Sequence, residues 1–220
     1  MSEPHVTKIL VLGAGGLIGG FIANDLMRRG FPVIAVARKF TAAQRFSVRD
    51  SVRECPVGDY NAEQLTELLR KTEADVIVNC LGLLQAVLGE GDIHDAFVAR
   101  LITALKQTAR PALLVHVSIP GSDADDRTDF AVTKRSADRR IVEAGLPYVI
   151  LRPGFVVAPA AYGGSALLRA LAVSPFDLPR TESERPFAAV AVEDISETVA
   201  FLATRVEAGE TRFAAVWDLM

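Results

Sequence analysis

The residue types with the most specific chemistry lie near the start of the chain. Gly13, Gly15, Gly16 and Gly19 punctuate the run 13–19, with Leu17 and Ile18 between them. An apolar run, 8–12, precedes this segment, and a helix-like stretch, 16–29, follows it. A glycine allows the tight turn, and the missing Cβ atoms let backbone N–H groups reach a phosphate. A helix that starts there adds unpaired N–H groups and a partial positive charge. A ligand-free turn can also be glycine-rich. The strand before it and the helix after it are the context that phosphate binding requires, and they point to a dinucleotide.

The next apolar run, 32–37, ends in Ala37, followed by Arg38 and Lys39. A carboxylate at this place would accept hydrogen bonds from the adenosine ribose of NAD. Ala37 has none to offer. The Arg38 guanidinium can hold a 2′-phosphate with two charge-assisted bonds, with Lys39 adding charge. This pattern predicts NADP(H) as the preferred cofactor, with NAD(H) possible. The other reading of Arg38 and Lys39 is a pair of solvated loop charges.

These residues need a frame, and the rest of the chain supplies one. Strand-like runs at 8–12, 32–37, 52–56, 75–80, 112–118 and 147–152 alternate with helix-like stretches at 16–29, 62–71, 92–108 and 129–144. Short, almost wholly apolar strands suit a parallel sheet covered on both faces. Regular strand–helix alternation implies right-handed βαβ crossovers, hence an α/β, doubly wound parallel sheet. After Arg152 the rhythm loosens around Pro153, Pro159, Gly163, Gly164, Pro175, Pro179 and Pro186. A strand at 187–192, a helix at 194–204 and the start of a last strand at 211–219 follow. We expect one Rossmann domain over 1–220, with 153–220 forming a small C-terminal cover on the substrate side. Whether the chain continues beyond it in a longer protein is left open by the sequence.

Taken in order, these motifs resemble the short-chain dehydrogenase/reductase superfamily, in its extended or atypical branch, the NAD-dependent epimerase/dehydratase type. The resemblance covers nearly the whole chain. It implies that Asp59, after Gly58, lies near the adenine, and that Cys80, Leu81 and Gly82, following Asn79, form the turn that passes the adenosine ribose. It places Ser118, at the end of the fifth strand, where the family has its catalytic Ser or Thr. It brings Pro153 and Gly154 to the nicotinamide carboxamide, and it matches Val192, Glu193 and Asp194 to a helix start common in this branch.

One departure is informative. The family's catalytic pair is Tyr-x-x-x-Lys, and this chain reads Phe130 to Lys134. Residues four apart share a helix face, so Lys134 keeps the position that binds the nicotinamide ribose, but the phenol is gone. General acid help is typically worth about 10²- to 10⁴-fold. The proton would then come from water, from the substrate or from Tyr162, in the loosened segment, which joins Ser118 and Lys134 as a catalytic candidate; His94 and His116 are other candidates, although His116 reads as a hydrogen-bonded core histidine. Two functions follow from the resemblance: an NADP(H)-dependent oxidoreductase acting on a small molecule, or a non-catalytic NAD(P)-binding sensor or assembly protein.

Several classes find no support. The net charge is −3 with no basic stripe, which argues against a nucleic-acid partner. No apolar run reaches the roughly 18 to 20 residues that span a bilayer. Cys55 and Cys80 lack metal-binding spacing and read as free thiols in a cytoplasmic protein. The acidic run of Asp123, Asp125, Asp126 and Asp129 reads as a solvated loop and helix cap with no metal. The sequence sets no oligomeric state.

Overall fold

The computed structural model describes residues 6–48, 51–82, 94–122, 124, 126–160, 164–173 and 188–220. The expectations at Asp123, Asp125, Tyr162, Gly163, Pro175, Pro179, Pro186 and Phe187 lie outside the described residues.

The first half runs β1 (Ile9–Leu12), α1 (Leu17–Arg28), β2 (Val33–Ala37), α2 (Ala42–Val48), β3 (Val52–Glu54), α3 (Ala62–Thr72) and β4 (Val76–Asn79). The second runs α4 (Asp95–Gln107), β5 (Leu113–Val117), α5 (Asp129–Glu143), β6 (Tyr148–Pro153), β7 (Phe155–Val157), α6 (Gly164–Ala172), β8 (Ala189–Ala191), α7 (Val192–Glu207) and β9 (Ala214–Leu219). Seven strands form one sheet in the order β3-β2-β1-β4-β5-β6-β9, and every neighbouring pair is parallel. The short strands β7 and β8 pair separately, also in parallel.

Side chains alternate across the sheet, so each central strand feeds two cores. Ile9, Val11, Val76, Val78, Val115 and Leu151 belong to a cluster shared with Ile22 and Leu26 of α1 and Ile195 and Val199 of α7. Leu10, Leu12, Ile77, Leu114 and Ile150 pack with Leu65 of α3, Phe97 and Leu101 of α4 and Ile141 of α5. Strands β1, β4 and β5 are buried throughout. Full burial of a residue such as Phe97 contributes about 1.5 to 3 kcal/mol.

Local chemistry sets the helix ends. Asn61 and Gln64 form a reciprocal capping box on α3, and Thr128 caps α5 by accepting from the Ala131 N–H. The cap of α5 is therefore Thr128; Asp129 is its first helical residue, and Asp126 pairs with Arg135 at 3.6 Å. Among the described residues no group of acids, histidines and cysteines could hold a metal, and no helix is long and apolar enough to cross a membrane. Cys55 and Cys80 are free thiols.

Candidate functional site

Strand β1 lies between β2 and β4, so the crossovers leave it in opposite directions and open a crevice at the strands' carboxyl ends. The glycine turn sits there. Gly13 adopts φ +85, and both Gly13 and Ala14 donate to the carbonyl of Val36 at 2.9 Å. A Cβ on Gly13 would stand 2.9 Å from the Cys80 carbonyl, and one on Gly19 would stand 2.5 Å from the Gly13 oxygen. Glycine at 13 thus brings the turn against the end of β4, and glycine at 19 brings α1 against the turn. Gly16 is the N-cap of α1 and supplies no side-chain cap, which leaves Leu17, Ile18 and Gly19 with the helix's first N–H groups.

Two neighbours shape the adjoining wall. A Cβ on Gly15 would meet Ala37 and the Lys39 carbonyl at 3.1 Å, so the turn and the end of β2 are in close contact. Arg38 and Lys39 follow at the surface. Gln44, in the first turn of α2, donates from Nε2 to the Gly15 carbonyl at 3.0 Å. Glu54 of β3 accepts from the Phe40 N–H and from Arg45, both at 2.7 Å, and so ties the segment after Lys39 to the sheet. Helix α2 and Gln44 went unread in the sequence, although Thr41 and Gln44 carry the spacing of a capping box and form both of its bonds. Asp59 lies exposed in a single 3-10 turn, Val57–Asp59; Arg100 of α4 fixes that turn by donating to the carbonyls of Gly58 and Tyr60 at 2.8 and 2.9 Å.

The other end of the crevice is built from β4, β5 and α5. Lys134 is buried and donates from Nζ to the carbonyls of Leu81 at 3.1 Å and Val117 at 2.9 Å. Burial lowers its pKa to about 8, against the pull of the Asp138 carboxylate. Burial pushes the Cys80 thiol up to about 12, opposed by Lys134. A Cβ on Gly82 would stand 3.6 Å from Lys134 Nζ and 3.7 Å from His94 Nε2, so the cation and the imidazole share this spot. Phe130 is half-buried and makes a T-shaped contact with the His94 ring, with centroids 5.1 Å apart and planes at 84°.

Behind Lys134 lies a buried polar group. Asn79 Oδ1 accepts from the Leu81 N–H at 3.1 Å, which leaves Nδ2 to donate to His116 Nδ1 at 3.0 Å. His116 is thereby held neutral with its hydrogen on Nε2, and burial carries its pKa well below the ordinary value. That Nε2 stands 3.9 Å from Asp138 Oδ1. Arg152 donates to the other Asp138 oxygen at 3.0 and 3.1 Å. Burial raises the Asp138 pKa, while the neighbouring Ser118 hydroxyl and Arg152 pull it down. Ser118 is buried, and its Oγ has no hydrogen-bond partner among the described residues. Asp138 lies one helical turn beyond Lys134 on the same face, a spacing visible in the sequence.

Pro153 ends β6 in a buried position, and Gly154 follows it. The Gly154 N–H donates to the Leu219 carbonyl at 2.9 Å, and a Cβ there would lie 2.6 Å from the Ala188 oxygen. Glycine at this point lets β6, β8 and β9 meet. The structure thus gathers Gly13, Gly15, Gly16, Leu17, Ile18, Gly19 and the residues 80–82 around one crevice, with Lys134 at its far end.

A parallel sheet with a glycine turn at its switch point and a bare helix N-terminus beside it defines a Rossmann dinucleotide-binding domain. Residues 13–182 match the family described as NAD(P)H-binding, and the chain belongs to that family. Among curated relatives, dTDP-6-deoxy-L-talose 4-dehydrogenase (NAD(P)(+)) of Kitasatospora kifunensis is 30% identical over 193 residues. The match covers 76% of this chain and 58% of that protein, so the chain spans less than two thirds of the relative's length. A UDP-glucose-4-epimerase from Stenotrophomonas maltophila with bound NAD superposes with a TM-score of 0.74 at 15% identity, covering 98% of this chain and 78% of the other. A dTDP-4-dehydrorhamnose reductase from Bacillus anthracis str. Ames in complex with NADP gives 0.67 at 13%, covering 99% and 76%. At these identities the two structures bear on the fold.

The residues present fit a dinucleotide. Gly13, Gly15 and Gly19 make contacts too close for a side chain, and the first N–H groups of α1 open beside them.

Proposed function

We propose that the protein is an NADP(H)-dependent oxidoreductase acting on a small molecule by an atypical short-chain mechanism. The observation that carries this reading is Lys134, a buried cation at the carboxyl ends of β4 and β5, on the same crevice as the glycine turn. When bound, the cofactor supplies or accepts a hydride. The first N–H groups of α1, at Leu17, Ile18 and Gly19, would hold the pyrophosphate. Arg38 and Lys39 would hold the 2′-phosphate, and Asp59 would lie near the adenine. Cys80, Leu81 and Gly82 would line the adenosine side of the crevice, Pro153 and Gly154 the nicotinamide side, and Lys134 would bind the ribose hydroxyls there.

Ser118, at the end of β5, would orient a substrate oxygen; its buried Oγ has no hydrogen-bond partner among the described residues. Tyr162 remains a candidate proton donor from the substrate-side segment. The K. kifunensis relative is named for a sugar-nucleotide alcohol, which suggests a hydroxyl or carbonyl substrate. The missing phenol at Phe130 also suits an activated double bond.

The alternative is a non-catalytic NAD(P)-binding sensor or assembly protein. Phe130 favours it, because loss of the family's acid costs such a role nothing. NADPH oxidation against a panel of 4-keto sugar nucleotides, quinones and enones separates the two. Turnover of any acceptor supports the enzyme. Tight NADPH binding with none supports the sensor.

A further inference from the structure

The family's proton donor is missing at Phe130, yet the ring there is not alone. The imidazole of His94 packs against the Phe130 ring, and His94 is the residue at which α4 begins. Its Nδ1 lies 2.9 Å from Thr133 Oγ1. The Thr133 hydroxyl has one hydrogen, which it directs to the carbonyls of Asp129 at 2.8 Å and Phe130 at 3.1 Å. It can therefore only accept from His94, so Nδ1 carries a hydrogen. The other ring nitrogen, Nε2, comes within 3.7 Å of the point where a Gly82 side chain would begin, and Lys134 Nζ comes within 3.6 Å of the same point. Gly82 is exposed and has no side chain to separate them from the crevice.

Resting on the oxidoreductase reading above, we propose that His94 is the general acid and base of this site, replacing the tyrosine that Phe130 lacks. The arrangement has three parts: a hydroxyl that fixes the tautomer, a buried imidazole, and an Nε2 beside the exposed Gly82. In carbonyl reduction the imidazolium gives its Nε2 proton to the substrate oxygen as the carbonyl carbon receives the hydride. The C=O π bond and the Nε2–H bond break, C–H and O–H bonds form, and His94 is left neutral with Nδ1–H still on Thr133. Alcohol oxidation runs the same transfers in reverse. Among the described residues, the charged and titratable groups near His94 include Lys134 from α5 and His116 from β5, with Asp95 next to it on its own helix. Repulsion from Lys134 favours handing the proton on.

The test uses NADPH and histidine ¹⁵N spectra of the whole chain. Titrating NADPH should move the His94 Nε2 resonance while Nδ1, held by Thr133, changes little. His94→Gln should keep NADPH affinity within about twofold and lower turnover by about 10²- to 10⁴-fold, with loss of the pH limb that reports the acid. Thr133→Val, which keeps the imidazole, should lower turnover about tenfold and serves if the first variant fails to fold. An Nε2 resonance indifferent to NADPH, or His94→Gln turning over as fast as the unmodified protein, overturns the assignment of His94 and leaves the oxidoreductase reading standing. A protein that binds NADPH yet reduces no acceptor overturns that reading, and the acid with it.

Discussion

Lys134 donates from Nζ to the Leu81 carbonyl at 3.1 Å and to the Val117 carbonyl at 2.9 Å, so one cation on α5 joins the ends of β4 and β5. The same contacts fix the ammonium beside Gly82, where a nicotinamide ribose would compete for its hydrogens.

This burial has a pH signature. The Lys134 pKa falls from 10.5 to about 8, so the folded protein holds the proton less tightly than the unfolded chain. Between about pH 8 and 10.5 the unfolded state binds more protons, and stability from this group rises with pH across that window. The contribution is lost as pH falls toward 8. In denaturant unfolding, the stability of the unmodified protein relative to Lys134→Met should therefore grow by roughly 2 kcal/mol between pH 8 and pH 10. A flat difference would mean that Lys134 stays charged throughout.

The close approach at Gly19 gives a contrast between two glycines. A Cβ at 19 would stand 2.5 Å from the Gly13 oxygen, whereas a Cβ at Gly30, where φ is +92, meets nothing within 4 Å. Gly19→Ala should destabilise by about 1 to 3 kcal/mol and also weaken NADPH binding at least tenfold, because α1 and the turn must separate. Gly30→Ala should cost about 1 to 2 kcal/mol through backbone strain alone and leave NADPH affinity unchanged. Melting curves paired with cofactor titrations check both halves.

Substitutions at residues 37 and 38 test the proposed cofactor choice. A charge-assisted hydrogen bond contributes about 1.5 to 3 kcal/mol, so Arg38→Ala should weaken NADPH roughly 10- to 150-fold and barely change NADH. Adding Ala37→Asp should reverse the preference, since a carboxylate at the end of β2 repels the 2′-phosphate and accepts from ribose hydroxyls. Fluorescence titrations at one fixed salt concentration test this, exposed charges being screened. Equal affinity of the unmodified protein for both cofactors would reduce Arg38 to a solvated loop charge.

Phe130→Tyr would place a phenol one helical turn from Lys134. Carbonyl reduction of simple aldehydes or ketones should appear or rise by at least tenfold, measured as NADPH oxidation. No gain with any carbonyl counts against Phe130 occupying the tyrosine position.

The sequence carried the doubly wound sheet because its strands are uniformly apolar and its glycine turn has a local signature. The six strand-like runs up to residue 152 all recur: five are trimmed, 52–56 to Val52–Glu54 among them, and 147–152 is shifted by one to Tyr148–Pro153. Helix α2 was missed because a seven-residue helix has little periodicity, although the Thr41–Gln44 box marked its start. The pairing of Phe155–Val157 with Ala189–Ala191 was not legible either, since nothing in two three-residue runs specifies a partner 34 residues away. The site divides in the same way. Gly13 through Gly19 is written in consecutive residues. The meeting of His94, Thr133 and Phe130, and that of Asn79, His116, Asp138 and Arg152, join distant segments whose contact exists only after folding.

The sheet is not assembled in the order of its strands. Strand β1, near its centre, precedes every other strand of the sheet in the chain and β9 follows them all, yet β9 pairs with β6 along Tyr148–Pro153. Until β9 leaves the ribosome, the outer side of β6 is an open hydrogen-bonding edge, and the Gly154 N–H has no Leu219 carbonyl to meet. The glycine turn and the β1, β2 and β4 strands around it need nothing from that late segment. The nascent chain can therefore shape its nucleotide half early, while its other edge remains the place where a stalled chain would pair with a neighbour.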